Sequence, residues 1–503
     1  MLRHTLVEQL RFNAEAFGQR PALQVVGGPE LTYRDALERT IALAAAIRER
    51  SDGSAVAVLR RNGPDSALAF LACQLAGVAA LPVNPMLAPP EIEYLLNDSS
   101  AGLLVHSADC ADLVASLPGE NRPVTLCTDD VDNQSVSWDS FTPSDPSDPF
   151  VIGYTSGTTG FPKGAVYDGD SMYIQYLRWA VHFELNENSR LLIAGPMFHN
   201  SYGGLSVLSL MLGATSRILT SFDADTACAE LGQHCTFAFL VPSMLTQILR
   251  AWRAGGRPPL NSLRRLLSSG AAVNPVDLEA AFEAFPQAVV SEAYGWSEGG
   301  WVTHETKQRG AVVSHCVGHP MVGAEVALFG DDGHRCGPAE TGEIGVRNIT
   351  PFKGYLNPDA RAETSADGRF LLSGDIGRFL PDGRLLVVDR KKDIIVTGGE
   401  NVASGEVERV LLAYPQVLDA AVVGRPDERW GEAVTAVIVW QPGSDGDDRV
   451  LREHCAQNLA RYKIPKHFEF VDSLPRNSMG KVQKFLLRDP KTAEAAPTGP
   501  GGA

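Results

Sequence analysis

The chain has 503 residues, enough for roughly two to four domains, and a formal net charge of −16 at pH 7. This charge argues against broad contact with nucleic acid or an anionic membrane, so we expect a small-molecule partner, no nucleic acid and no stable membrane insertion. The eight cysteines form no CxxC pair, and the N-terminal segment lacks the continuous apolar run of a signal peptide. We therefore predict a cytoplasmic protein with reduced thiols.

The first part of the chain has the pattern of an α/β protein. Residues 67–83 are apolar apart from a few interruptions, which predicts a buried helix leading into a strand. Runs rich in Val, Ile and Leu, such as RLLIAG and TFAFLVP, then alternate with helical segments such as PVDLEAAFEAF. This alternation indicates an α/β body with substantial parallel sheet.

The segment YTSGTTGFPKGA, residues 154–165, follows an Asp/Ser/Pro-rich connector and concentrates hydroxyls, glycines and one lysine. Glycines let backbone amides approach phosphate oxygens, and the lysine adds a positive charge. The P-loop spacing fails, because Pro162 stands where that motif has glycine and Gly164 where it has Ser or Thr. A lone cluster of this kind would predict a surface turn, whereas the whole string favours ATP as the ligand. The candidate phosphate-binding residues are Thr155, Ser156, Gly157, Thr158, Thr159, Gly160 and Lys163.

The second part of the chain changes character twice. From about Thr341, short β-hairpins with Asp-Gly turns predict a smaller β-rich lobe. After the polar run at residues 389–393, two helical segments and two strand-like runs predict a compact α+β unit. We therefore predict an N-terminal domain over residues 1–389, a C-terminal domain over 390–490 and a disordered tail over 491–503.

Five further segments complete an ordered set of motifs: PMFHNSYG (196–203), SSGAA (268–272), EAYGWSE (292–298), LSGDIGRF (372–379) and LPRNSMGKVQK (474–484). With the phosphate-binding loop they resemble the signatures of the adenylate-forming superfamily, which comprises acyl-CoA synthetases, luciferases and the adenylation domains of peptide synthetases. The resemblance covers nearly the whole chain. It implies a large N-terminal domain of stacked α/β subdomains with a β-rich lobe, and a small mobile C-terminal α+β domain.

The resemblance implies four catalytic residues. Lys481 matches the lysine that contacts the carboxylate oxygen and the α-phosphate, although a loop lysine is otherwise normally solvated. Glu298 matches the glutamate that faces magnesium and phosphate, with Thr155 beside the metal. His199 stands where the family keeps a His or aromatic residue near the acyl carboxylate, and Lys163 assists at the phosphates.

The same resemblance implies the nucleotide site. Asp375 matches the aspartate that accepts hydrogen bonds from the ribose hydroxyls, Arg390 helps to hold the ribose, and Lys392 falls at the hinge between the domains. Trp296 occupies a variable position, and a role as a core aromatic fits it equally well. Further residues expected along the nucleotide are Gly270, Ala271, Ala272, Glu292, Ala293, Tyr294, Gly295, Trp296 and Ser297.

Coenzyme A is the expected acceptor. Gly398 and Gly399 resemble a loop that lines the pantetheine tunnel of CoA ligases, where glycines let a thin thiol arm pass close to the backbone. Trp430 matches an aromatic residue beside the nucleotide of coenzyme A, and a buried core position fits it as well. The resemblance implies that the C-terminal domain rotates between half-reactions, presenting first Lys481 and then the Gly398 loop.

The sequence thus predicts an ATP-dependent, magnesium-requiring acyl-CoA ligase that activates a hydrophobic acid, whether fatty, aromatic or polycyclic, through an acyl-adenylate. Gly203, Gly204, Gly270 and Ala271 predict a spacious apolar pocket for this acid. The alternative is a free-standing ligase that loads the acid onto a carrier protein. A regulatory nucleotide-binding protein is a third reading, against which the presence of both Glu298 and Lys481 argues. A homodimer is compatible with the sequence.

Overall fold

The computed structural model describes residues 4–118, 123–132, 136–142, 144–155, 162–350, 352–398, 400–427, 429–444, 447–477 and 480–488. The helices are α1 (Leu6–Phe17), α2 (Tyr33–Arg50), α3 (Pro64–Ala76), α4 (Pro89–Ser99), α5 (Ala111–Ala115), α6 (Gly169–His182), α7 (Asn200–Leu212), α8 (Ala224–Gln233), α9 (Pro242–Ala254), α10 (Pro275–Ala284), α11 (Ser404–Leu412), α12 (Asp448–Asn458) and α13 (Lys484–Arg488).

The strands alternate with these helices over most of the chain. They are β1 (Pro21–Val25), β2 (Glu30–Thr32), β3 (Val56–Leu59), β4 (Ala80–Val83), β5 (Leu103–His106), β6 (Val124–Cys127), β7 (Pro149–Thr155), β8 (Lys163–Asp168), β9 (Arg190–Ile193), β10 (Thr215–Ile218), β11 (Phe237–Leu240), β12 (Arg265–Ser268), β13 (Val289–Trp296), β14 (Gly300–Thr306), β15 (Cys316–Pro320), β16 (Ala324–Phe329), β17 (Thr341–Asn348), β18 (Leu371–Phe379), β19 (Leu385–Arg390), β20 (Ile395–Thr397), β21 (Glu400–Val402), β22 (Val417–Asp427), β23 (Gly431–Trp440) and β24 (His467–Phe470).

The first sheet has six strands in the order β6-β5-β3-β4-β7-β8. Its first five strands are parallel, and β8 closes the edge antiparallel to β7. The predicted buried helix and strand at residues 67–83 are confirmed as most of α3 and β4. Gly77 ends α3 with φ of 80°, a left-handed conformation that favours glycine.

The second sheet is a continuous path of thirteen strands, β16-β17-β18-β19-β15-β14-β13-β12-β11-β9-β10-β1-β2. From β13 to β1 the strands are parallel, whereas β14 to β19 pair antiparallel. The predicted β-rich lobe is therefore present, and Gly383 makes its expected Asp-Gly turn with φ of 84°. The lobe is hydrogen-bonded to the α/β sheet, and the predicted α/β fold class is confirmed.

The chain leaves the large sheet at Arg390 and enters a third sheet at Ile395. This sheet has the order β21-β20-β23-β22, with β24 parallel to β23. Helices α11 and α12 cover it, and their apolar side chains form a separate core with residues such as Val422 and Ile438. The predicted tail 491–503 lies outside the described residues.

Candidate active site

Glu298 lies in the turn between β13 and β14, where its carboxylate meets two hydroxyls. Thr155, the last residue of β7, donates a hydrogen bond to Glu298 Oε1 over 3.2 Å. Tyr355 donates to the same oxygen over 2.8 Å. Both donors share Oε1, so the second carboxylate oxygen is the one presented for a further ligand.

Tyr355 was not among the predicted site residues. It is held in place by the backbone, because Leu356 N donates to Gly164 O over 2.7 Å and Tyr355 bridges to Ala165 of β8. Its ring lies 5.3 Å from Lys163 Nζ, a cation–π distance. The sequence of the segment FKGYL predicts only a hairpin. No local signal indicates that its tyrosine pairs with β8.

The two ends of the predicted phosphate-binding segment are described: Thr155 and Lys163 form a register pair between β7 and β8. Thr155 faces Glu298, and Lys163 faces the Tyr355 ring. Ser156, Gly157, Thr158, Thr159 and Gly160 lie outside the described residues.

The predicted ribose site brings together three side chains from different strands. Asp375 on β18 forms an ion pair with Arg390 Nε on β19 over 3.1 Å. Tyr294 on β13 donates its hydroxyl to the other oxygen of Asp375 over 2.7 Å. Burial, with Asp375 next in effect, raises the pKa of Tyr294 well above its usual range, so the phenol stays a neutral donor.

Lys481 belongs to the C-terminal domain and lies within electrostatic reach of the predicted ribose site. Gly480, with φ of 73°, packs so closely on α9 that an added methyl group would lie 2.3 Å from Ser243 Oγ. The Lys481 side chain keeps an exposed surface, while the surrounding protein desolvates its ammonium group. This desolvation, followed by the charge of Arg390, lowers the pKa of Lys481 to about 8, against the opposing effect of Asp375.

His199 is the N-cap of α7, and its Nδ1 accepts a hydrogen bond from Ser201 N over 3.3 Å. Burial lowers the pKa of His199 to about 4. The imidazole is therefore neutral at physiological pH and offers one donor and one acceptor.

The turn that contains Gly270, Ala271 and Ala272 is exposed and follows β12. Gly270 has φ of 94° and lies against Val241, which is also in contact distance of Gly480. The small-residue turn and the Lys481 loop therefore meet at the ends of β11 and β12. Ala271 and Ala272 are both exposed in this turn.

Glu292 differs from its predicted role at the nucleotide. Its carboxylate is buried, forms an ion pair with Lys307 Nζ over 2.6 Å and accepts from Val273 N over 2.9 Å. It therefore supports the small-residue turn from inside the protein. Ala293 is also buried, so its methyl group faces the core.

Three glycines and Trp296 pack closely against their neighbours. Methyl groups on Gly203 and Gly204 would lie 2.4 Å from Met197 O and 3.1 Å from the Tyr176 ring, so both glycines permit close packing at these points. Trp296 lies over Gly299 and packs into the apolar cluster of the β-rich lobe, as its core-aromatic reading predicts. Gly295 allows close approach of β14, because a methyl group would lie 1.9 Å from Gly300 O.

Ser297 is exposed at the same turn, and Tyr167 donates its hydroxyl to the Ser297 carbonyl. The exposed position of Ser297 is compatible with the predicted contact to the nucleotide.

The two predicted coenzyme A elements contact each other in the C-terminal domain. Gly398, with φ of 60°, donates its backbone N–H to Trp430 O over 2.7 Å, and a methyl group on it would lie 3.0 Å from the indole. Arg429 and Lys466 lie 4.8 Å and 5.2 Å from the centre of the Trp430 ring. Partial burial, followed by Arg452 and Arg461, lowers the pKa of Lys466. Gly399 lies outside the described residues.

The described residues include no cluster of three or more His, Cys, Asp or Glu side chains that could hold a metal ion. Among the helices that the structure describes, none is long and apolar enough to cross a membrane.

Comparison with known proteins agrees with this geometry. Residues 10–356 match the model of the AMP-binding enzyme family, and residues 406–481 match the model of the AMP-binding enzyme C-terminal domain. The chain belongs to the AMP-binding enzyme family. The predicted membership of the adenylate-forming superfamily is thereby confirmed, and so is the prediction of an AMP-forming acid–thiol ligase at the level of this family.

Individual relatives differ in acid and acceptor. A feruloyl-CoA synthase of Amycolatopsis sp is 36% identical over 92% of this chain and 94% of its own length. A fatty acid–[acyl-carrier-protein] ligase of Streptomyces coeruleorubidus is 30% identical over 96% of both chains. The solved o-succinylbenzoate CoA synthetase of Bacillus subtilis, in complex with its acyl-adenylate OSB-AMP, has a TM-score of 0.84 at 27% identity and covers 97% of this chain and 99% of its own.

Proposed function

We propose that this protein is an ATP-dependent acyl-CoA ligase that activates a hydrophobic carboxylic acid through an acyl-adenylate. The observation that carries the proposal is the packing of Gly480 on α9, with the neighbouring Lys481 within electrostatic reach of Asp375 and Arg390. A C-terminal lysine near the ribose site would contact the bond that forms between the acid and the α-phosphate.

In the first half-reaction, a carboxylate oxygen of the acid attacks the α-phosphorus, and the bond to the pyrophosphate oxygen breaks. Asp375 accepts hydrogen bonds from the ribose hydroxyls and fixes the nucleotide. The Lys481 ammonium donates to the carboxylate and α-phosphate oxygens, where negative charge is concentrated in the transition state. Lys163 stabilises the leaving pyrophosphate.

The residues present fit a magnesium ion. Mg²⁺ in nucleotide sites is typically bound by one or two carboxylates together with substrate phosphates, and Glu298 presents one carboxylate oxygen while two hydroxyls hold the other. Glu298 would hold the ion with Thr155 beside it. When bound, the ion neutralises phosphate charge.

In the second half-reaction, the thiol of coenzyme A attacks the acyl carbonyl, AMP leaves and the thiol proton is released. Trp430, flanked by Arg429 and Lys466, supplies an aromatic face and positive charge for the CoA nucleotide. We propose that the domain rotates about Lys392 and brings the Gly398 loop to the site.

The test separates the two half-reactions. Pyrophosphate release is measured with ATP, magnesium and an acid panel, and AMP release is measured with and without coenzyme A. The proposal predicts pyrophosphate release with acid alone and AMP release that depends on coenzyme A. Absence of both activities over the panel would refute it.

Loading of a carrier protein is the second candidate, and the similarity to the fatty acid–[acyl-carrier-protein] ligase favours it. It uses the same adenylation residues but delivers the thiol on a protein-bound phosphopantetheine arm. Turnover with a phosphopantetheinyl carrier protein, together with inactivity toward free coenzyme A, would establish this candidate instead.

A further inference from the structure

The N-terminal end of helix α11 is hydrogen-bonded to the large sheet. The residue before the helix is Ala403, which provides no side-chain hydrogen bond to the first turn. The acceptor comes instead from Asp389 on β19, whose Oδ2 accepts from Ser404 Oγ over 2.8 Å and from Gly405 N over 3.3 Å. A carboxylate at this end of a helix satisfies free N–H groups and interacts favourably with the helix dipole. Asp389 thus caps α11 from outside the C-terminal domain.

The contact between β19 and α11 is enclosed by protein. The second carboxylate oxygen of Asp389, Oδ1, accepts from Arg390 N over 2.8 Å, so both oxygens are bonded. Ser404 is fully buried. A methyl group added to Gly405 would lie 3.5 Å from Val388 O, so the helix end is in close contact with the strand. Hydrogen bonds to a charged acceptor are strong, and they are stronger in such surroundings than in water.

The contact continues to the loop of Lys481 through Lys484. Lys484 Nζ donates to Ser404 Oγ over 2.6 Å and forms an ion pair with Glu408 Oε1 over 2.7 Å. The Ser404 hydroxyl therefore accepts from Lys484 and donates to Asp389. Burial disfavours the Lys484 ammonium, but Glu408 and then Asp389 outweigh this effect and raise the pKa of Lys484. Because Lys481 precedes Lys484 by three positions, one chain of polar contacts links β19 to the Lys481 loop.

Asp389 and Ser404 lie on opposite sides of the hinge proposed at Lys392. Asp389 ends the predicted N-terminal domain on β19, whereas Ser404 begins α11 in the C-terminal domain. A rotation about Lys392 moves α11 relative to β19, and a hydrogen bond weakens steeply once its atoms leave their short, aligned geometry. The contact is therefore specific to the orientation in which Gly480 packs on α9.

We propose that Asp389 and Ser404 form a latch that holds the C-terminal domain in the orientation for adenylation and opens before thioester formation. The proposal rests on the proposed ligase function and on the rotation about Lys392. Both are positioning residues, because they act through the location of Lys481. A latch that favours one orientation speeds the half-reaction that occurs there and slows the one that requires the other orientation. Its loss should therefore affect the two half-reactions differently.

The test measures the two half-reactions separately in the full-length protein. Benzoic, cinnamic and octanoic acids are the probes, and the fastest of them is used for every variant. The first rate is the single-turnover formation of the acyl-adenylate from ATP, magnesium and this acid. The second is the formation of the thioester from coenzyme A and the synthetic adenylate of the same acid. The latch is assessed by the ratio of the first rate to the second, in which any loss of active protein cancels.

The decisive variant is Ser404→Ala. It removes the donor to Asp389, leaves Lys484 paired with Glu408 and changes no group of the predicted ribose site. We expect the ratio to fall about tenfold, through slower adenylation with unchanged or faster thioester formation. Asp389→Ala should lower the ratio at least as much. The double variant should show no further fall than Asp389→Ala, because both substitutions remove the same contact.

Glu406→Gln is the matched control. Glu406 lies in the same first turn of α11, but it pairs with Lys463 over 2.6 Å within the C-terminal domain. This variant is expected to keep the wild-type ratio. Hydrogen exchange gives a second readout that requires no acid: the backbone amide of Gly405 should exchange faster in Asp389→Ala than in the wild type.

An unchanged ratio in Ser404→Ala and Asp389→Ala, or an equal fall of the ratio in Glu406→Gln, would overturn the latch. A merely structural role would lower both rates together and so would also leave the ratio unchanged. Turnover of none of the three acids would count against the ligase function instead. In that case, unchanged hydrogen exchange of Gly405 in Asp389→Ala would overturn the latch, and faster exchange would support it.

Discussion

The nucleotide end of the candidate site and the aromatic core around Trp301 are built in different ways. At the nucleotide end, Asp375, Arg390 and Tyr294 are bound to one another by short polar contacts, and Glu298 is held by two hydroxyls. In the core, Trp179 and Trp301 meet through ring packing, and both side chains are buried. The nucleotide end therefore depends on individual polar groups, whereas the core depends on the fit of apolar side chains.

The largest expected effect concerns Lys481. Lys481→Ala removes a donor to the transition state and should lower single-turnover acyl-adenylate formation by about 100-fold or more. The loss should be similar for all acids, because this residue belongs to the nucleotide end. Arg449→Ala, an exposed cation on α12, is the control. A wild-type rate of adenylation in the Lys481 variant would contradict the assignment.

The pH profile gives the next largest effect. The ammonium form of Lys481 is the active one, and its pKa is lowered to about 8. As pH rises through this value the ammonium is lost, so kcat/KM for adenylation should fall about tenfold per pH unit above about pH 8. Lys481→Arg should remove this alkaline limb, since guanidinium stays charged. An identical decrease of kcat/KM at alkaline pH in both proteins would mean that a group other than Lys481 causes it.

Gly203→Ala tests the close packing of Gly203 against Met197. The added methyl group meets Met197 O at 2.4 Å, and such overpacking should lower the free energy of unfolding by about 1–3 kcal/mol. Gly63→Ala, at an extended φ of 173° with open space around it, is the control. Denaturant unfolding measures both. Unchanged stability together with a changed preference among acids would indicate that Gly203 lines the acid pocket.

Tyr355→Phe should have the smallest effect. It removes one of two donors to Glu298 Oε1 while the ring remains beside Lys163. We expect the magnesium concentration needed for half-maximal adenylation to rise about threefold to tenfold, since one hydrogen bond to a charged group is lost. The ranking of acids should stay the same. A shift in the preference among acids would mean that Tyr355 also contacts the acid.

The polar residues of the candidate nucleotide site could be predicted from the sequence for a physical reason. Glu298, Asp375 and Lys481 occur in short motifs of polar residues and glycine, whose local pattern carries their chemistry. Tyr355 acquires its position only through contacts between distant segments, and no local pattern marks it. At Gly203 and Gly204 a missing side chain can mean either open space or a close neighbour, and the sequence does not distinguish the two.

The continuity of the large sheet has a mechanical consequence. Glu298 follows β13 and Asp375 lies on β18, and β14, β15 and β19 connect these two strands within one sheet. The strands β20 to β24 belong to a separate sheet. The distance between Glu298 and Asp375 is therefore set by the large sheet alone, and a change in the position of the C-terminal domain would leave it unaltered.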